Sequence, residues 1–243
     1  MGLWTSKKFF GFASHAPPII AWTTTPVVIA AAFFSIYNTH RTQGRLCMTG
    51  SATIASMLAC LLYKFPHNRR FCEFFENNMS GWYREIRSVD KHLKKNTEKT
   101  IFLVHPHGIL SIGWSLNMVW NRAFHEKTGN PSKGKYCKFL IDDNLRKLNP
   151  WFKVYADLSG RLESASKANV KKLMKKGANL ALMLGGFEDA STMVTGREST
   201  VIKKRKVGAG RATCFVVCCW SVFFFFFSHV CCHPLLIEMN PPA

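Results

Sequence analysis

Two histidines flanking a proline carry the strongest chemical signal in this chain, in the tetrapeptide His105-Pro106-His107-Gly108. An imidazole with an ordinary pKa of about 6.5 is neutral at physiological pH, so it takes a proton from an alcohol as a general base. Backbone N–H groups at the start of a helix lack intrahelical partners, and they stabilise the oxyanion formed when a carbonyl is attacked. A base held beside such donors suits acyl transfer, with His105 as the base. His107 could assist, orient His105 or simply pack. No Gly-x-Ser-x-Gly segment offers a rival nucleophile, so direct transfer without an acyl-enzyme is expected.

Such a base must be presented by a strand and the turn that follows it. Ile101–Val104 is a short β-branched and aromatic run that reads as a buried strand. Pro106 ends the ladder, Gly108 permits a tight turn, and Ile109–Phe124 reads as a largely apolar helix. A second apolar run, Asn179–Leu184, ends in Gly185-Gly186-Phe187-Glu188-Asp189. Lys138–Ile141 and Val154–Ala156 are weaker strand candidates. Ala168–Lys176 sets Val170, Leu173 and Met174 on one helical face, with lysines elsewhere and Gly177 at its end. The alternation predicts an α/β fold with a mostly parallel sheet and flanking helices.

Loops beyond the carboxyl ends of parallel strands converge along one edge, where ligands bind. His105 is therefore expected to meet Glu188 or Asp189, and either acid would hold the imidazole tautomer and stabilise its cation. Either could instead cap a turn or helix start. Gly185 and Gly186 let backbone N–H groups approach an oxyanion or phosphate. Lys171, Lys172, Lys175, Lys176 and Lys203–Lys206 could bind phosphates or form a solvated face.

In this order, His105-Pro106-His107-Gly108, Gly185-Gly186-Phe187-Glu188-Asp189 and Lys203-Lys204-Arg205-Lys206 resemble the diacylglycerol acyltransferase type 2 family, with its monoacylglycerol acyltransferase and wax synthase relatives. The likeness runs from about Leu46 to Lys206. It implies a multi-pass enzyme of the endoplasmic reticulum membrane, its core facing the cytosol. Such an enzyme moves a fatty acyl group from acyl-CoA to a diacylglycerol hydroxyl, with acyl-CoA as co-substrate and no resident cofactor or metal. Monoacylglycerol, a fatty alcohol or a lysophospholipid are alternative acceptors. It also implies substrate contacts at Pro106, Gly108, Gly185, Gly186, Ser166 and Lys167, where Ser166-Lys167 resembles the family's Ser-Arg pair. Lysine there keeps a point charge but loses the guanidinium fork. Related glycerolipid acyltransferases place an Asp shortly after the His; Leu110 and Ser111 stand here instead, so the acid must come from elsewhere. An ungapped comparison puts Asp189, not Glu188, where the family usually has Glu.

The formal net charge is +19, which suits nucleic acid, anionic lipid or a polyanionic co-substrate. Two long apolar segments and the absence of any nucleic-acid signature exclude the first of these as the working expectation. The nine cysteines include no metal-spaced CxxC pair, which fits a reduced compartment without structural disulfides. Ala16–Asn38 and Leu46–Tyr63 are uncharged and near the roughly 20 residues that cross a bilayer, so residues 1–70 are expected to hold a membrane hairpin kinked at Pro26. The alternative is a pair of buried helices in a soluble domain. The core is expected over residues 71–206, entered through an interfacial helix and linker. Residues 207–243 depart from the resemblance: Cys214 to Cys232 enclose the block Phe223–Phe227. The tail reads as a third span or as translated intron or frameshifted sequence, and the latter leaves the core incomplete. Uninterrupted coding sequence across Lys206–Val207 in the spliced transcript would exclude that origin. If the tail is of that origin, the chain could be a truncated, inactive lipid-binding membrane protein.

Overall fold

The computed structural model describes residues 6–82, 85–86, 100–105, 114–129, 135–183, 213–221 and 229–235. The first helix, α1 (Ser6–Gln43), is longer than expected and breaks into Ser6–Ala21 and Thr23–Gln43, bent by 49°. The break falls at Trp22, four residues before Pro26 rather than at it. Proline has no N–H to donate to the carbonyl one turn back, and its ring crowds that carbonyl, so the distortion appears at Trp22. Thr23, Thr24 and Thr25 add to it by donating their hydroxyls to the carbonyls of Ile19, Ile20 and Ala21 at 2.9, 2.7 and 2.5 Å.

Helix α2 (Met48–Leu62) has 15 residues, a length of about 22 Å against a hydrocarbon core of about 30 Å. No single described helix is long and apolar enough to cross a membrane, whereas the two halves of α1 together have the length and composition to do so. The expected pair of complete spans is thus corrected to one bent pair and one short apolar helix. Gly50 lets α2 approach α1, since a Cβ there would lie 2.8 Å from the Ala32 carbonyl oxygen and from Ile36.

The amino-terminal half of α1 lies on the core, where Gly81 approaches Lys7 so closely that a Cβ would sit 2.6 Å from the Lys7 carbonyl oxygen. Helix α3 (Arg69–Asn78), capped by Asn68, covers the start of the stretch Phe71–Lys99 expected as an interfacial helix and linker, of which residues 83–84 and 87–99 lie outside the described residues. It buries Cys72 and Phe75 in the core, and Phe75 stacks on Trp120 at 4.6 Å between ring centroids. The strand candidate Val154–Ala156 is likewise helical.

Strand β1 (Glu85–Ile86) precedes β2 (Thr100–His105). The continuous helix expected over residues 109–124 is interrupted. Ser115–Val119 forms a π-helical turn, the chain breaks at Trp120, and Asn121 caps a new helix, α4 (Arg122–Thr128), by accepting from the Phe124 N–H at 3.1 Å. There follow β3 (Lys138–Ile141), α5 (Asp143–Leu148), α6 (Pro150–Ser159), β4 (Leu162–Ser164), α7 (Lys167–Lys175) and β5 (Leu180–Met183). Two tail strands, β6 (Thr213–Ser221) and β7 (His229–Leu235), complete a seven-stranded order of β1-β7-β6-β2-β5-β3-β4. The described parts of the tail are therefore strands, not a third helical span.

The four strands β2-β5-β3-β4 are all parallel. Their side chains alternate between two apolar layers, as the period of 2 requires. Phe102, Val104, Phe139, Ile141 and Ala181 face the layer built with α3, α4 and α6. Ile101, Leu103, Leu140, Leu180 and Leu182 face Val170, Leu173 and Met174 of α7. The expected mixed α/β architecture and its parallel sheet are observed.

Candidate functional site

The sheet register decides which motif loops can meet. Val104 pairs with Met183 across the β2–β5 ladder, and His105 is the last residue of β2. The chain therefore leaves β2 toward Pro106 and leaves β5 toward Gly185 from the same carboxyl edge, on adjacent strands about 4.8 Å apart. Pro106, His107, Gly108, Gly185, Gly186, Glu188 and Asp189 lie outside the described residues, as does the basic run Lys203–Lys206. Of His105, the structure describes the backbone.

Ser166 and Lys167 stand on that same edge, following β4. Ser166 is the N-cap residue of α7, in extended conformation, and its side chain makes no capping hydrogen bond. Lys167 opens the helix and is exposed, as are Lys171, Lys172, Lys175 and Lys176. Three strand spacings separate β4 from β2 in the sheet order, or about 14 Å. The pair thus sits across the edge from His105 rather than beside it.

Hydrogen bonds tie this loop to β3 and to the start of α5. The Ala165 N–H donates to the Ile141 carbonyl at 2.8 Å, and the Ser166 N–H donates to Ser164 Oγ at 3.0 Å. Ser164 Oγ in turn donates to Asp143 Oδ1 at 2.5 Å. Asp143 follows β3 on the same edge, and hydrogen bonds from Lys147 and then Ser164 hold its carboxyl below the usual carboxylate range. This Asp143–Ser164–Ser166 chain escaped the sequence reading. Its one visible signal was the acid pair Asp142-Asp143 directly after the apolar run Phe139-Leu140-Ile141.

A second polar cluster lies at the opposite, amino-terminal edge. Arg161, just before β4, is 1% exposed. Its guanidinium pairs with Glu76 of α3, donates to the Val119 carbonyl at 2.7 Å, and lies over the rings of Trp120 and Tyr136. His125 Nε2 is 3.0 Å from the same Val119 oxygen. Burial, reinforced by the Arg161 charge, holds this imidazole neutral well below its ordinary range. Burial also pushes the Cys72 thiol up to about 11. These groups clamp α3 to the sheet and stand away from the motif edge. No cluster of His, Cys, Asp and Glu that could hold a metal occurs among the described residues, and Cys47, Cys60, Cys72 and Cys137 are free thiols.

The fold and its edge define an α/β protein with a parallel sheet, neighbouring strands β2 and β5 that end ahead of the two motifs, and a docked apolar helix pair. No family model matches the chain, and neither a curated protein nor a solved structure matches it.

Proposed function

We propose that this chain is a membrane-bound acyltransferase that moves a fatty acyl group from acyl-CoA to the hydroxyl of a diacylglycerol. The parallel pairing of β2 with β5, Val104 opposite Met183, carries this reading. It sets the strand ends that precede His-Pro-His-Gly and Gly-Gly-Phe-Glu-Asp next to each other, although about eighty residues separate the two motifs in sequence.

In the proposed reaction His105 removes the proton from the acceptor hydroxyl while its oxygen attacks the thioester carbonyl. The C–S bond breaks as the new C–O bond forms, and the proton passes from the imidazolium to the departing CoA thiolate. Glu188 or Asp189 holds the imidazole and its cation. Backbone N–H groups at Gly108, Gly185 and Gly186 receive the oxyanion. Ser166 and Lys167, across the edge, fit the phosphates of an extended co-substrate whose thioester lies at β2. The endoplasmic reticulum is the compartment consistent with this substrate pair, with the core on the cytosolic side.

Microsomes holding the full chain, given labelled acyl-CoA and a panel of diacylglycerol, monoacylglycerol, fatty alcohol and lysophospholipid, should form labelled ester that His105→Ala abolishes. The labelled product identifies the acceptor. The exposed lysines of α7 favour a second reading, an inactive lipid-binding protein. Ester formation no greater than that of His105→Ala would support it over the enzyme.

A further inference from the structure

Near the break in α1, the core carries large apolar side chains left open to solvent. Leu148, the last residue of α5, is 69% exposed, and Trp151, in the first turn of α6, is 39% exposed. They flank Asn149, whose amide donates to the Ala21 carbonyl at 2.9 Å and whose Oδ1 accepts from Thr25 at 3.2 Å. Both therefore stand beside the broken turn. Leu62 and Tyr63, at the end of α2, are also exposed, and the Tyr63 carbonyl accepts from Lys153 of α6 at 2.5 Å.

A single exposed apolar residue needs no explanation, but four large ones at the root of an apolar hairpin do. Two of them, Tyr63 and Trp151, pair an apolar ring with a polar edge, the combination enriched where membrane meets water. Lys64 and Arg70 are exposed nearby in sequence, placed to meet phosphate headgroups. Helix α6 runs back from the motif edge to Gly160 and β4, antiparallel to the strands as in a βαβ crossover, so its first turn lies toward that edge.

We propose that Leu62, Tyr63, Leu148 and Trp151 seat the core itself in the headgroup and upper acyl layer of an anionic bilayer. The motif edge is thereby turned toward the membrane, from which a lipid alcohol arrives laterally. The inference rests on α2 and the Thr23–Gln43 part of α1 being membrane-inserted; the membrane contact of α5 and α6 is its new content.

The test uses the full chain and its Trp151→Phe variant in vesicles of phosphatidylcholine and phosphatidylserine, with and without brominated acyl chains. The difference in emission between the two proteins reports Trp151 alone. Brominated chains should quench that difference several-fold, and aqueous iodide should leave it nearly unchanged. Quenching by iodide but not by brominated lipid overturns the proposal. Shielding from both means that a second copy or another protein covers the patch, and also overturns it. A chain that fails to float with vesicles overturns the membrane insertion as well. In active preparations Leu148→Glu should raise the KM for vesicle-borne acceptor several-fold at unchanged kcat, without affecting a detergent-dispersed acceptor. Quenching by brominated lipid with no ester formed would refute the acyltransferase reading and leave the docking surface standing.

Discussion

Glu76→Ala should be among the most damaging single changes remote from the motif edge. The Arg161 side chain is 2% exposed and that of Glu76 is 12% exposed, so removing the carboxylate strands a buried guanidinium. Breaking a buried pair in this way costs about 3–5 kcal/mol. For a chain of this size that is a fall of roughly 6–20 °C in unfolding midpoint, at about 2–4 °C per kcal/mol. Adding Arg161→Met should restore most of the loss, because an apolar replacement of both charges is often neutral. The Val119 carbonyl would still face His125 Nε2 at 3.0 Å. Cys137, 0% exposed, is the reporter: its alkylation by maleimide, read peptide by peptide against temperature, follows opening of the core. A Glu76→Ala midpoint equal to the parent's, or a double variant no better than Glu76→Ala, would refute the assignment of this pair as the clamp between α3 and the sheet.

The neutral, buried His125 makes stability fall with acid. The unfolded imidazole titrates at about 6.5, and the folded pKa lies well below that. The unfolded state therefore binds the extra proton below about pH 6.5, and stability declines there by at most about 1.4 kcal/mol per pH unit; His125→Gln should remove this share of the slope in a pH series of unfolding midpoints. Gly160→Ala should destabilise more than Gly44→Ala in the same thermal assay. Both glycines are left-handed, at φ 61° and 64°, but a Cβ at Gly160 meets His67 Nδ1 at 2.8 Å while one at Gly44 meets nothing within 4 Å; the left-handed strain alone is about 1–2 kcal/mol. Asn149→Ala removes the α6 cap, whose hydrogen bond from the Phe152 N–H is 2.9 Å long, at about 1 kcal/mol. In a double-variant cycle it should couple to Thr25→Ala by about 0.5–1.5 kcal/mol; a coupling of zero would show that α1 is not held there.

Elements whose signal is local were legible in the sequence. The strand Lys138–Ile141 has the expected bounds, β2 and β5 differ from theirs by one residue where they are described, and α7 is shifted by one residue. Each is a short apolar run between polar or glycine-rich stops, or an apolar stripe at helical spacing. The misreadings share a cause. Val154–Ala156 carries β-branched and aromatic residues, yet the Asn149 cap, Pro150 at the first turn and Gly160 at the end enclose it in a helix. The burial of Phe75 in α3 was not legible, because its ring partners, Trp120 and Tyr155, lie far along the chain. The break in α1 followed Pro26 as expected but one turn upstream, where the missing hydrogen bond is felt.

For the site, residue types and motif order were in the sequence: a base, a glycine pair, an acid and a basic face. The sequence could not say which loops become neighbours. That is set by ladder register between strands such as β2 and β5, and by the packing of α7 on one face and α3, α4 and α6 on the other. Both faces of these strands are apolar, so alternation alone does not choose the register; the fit of individual side chains in the two packed layers does. A local pattern specifies which segments will bury a face; only the folded sheet specifies against what.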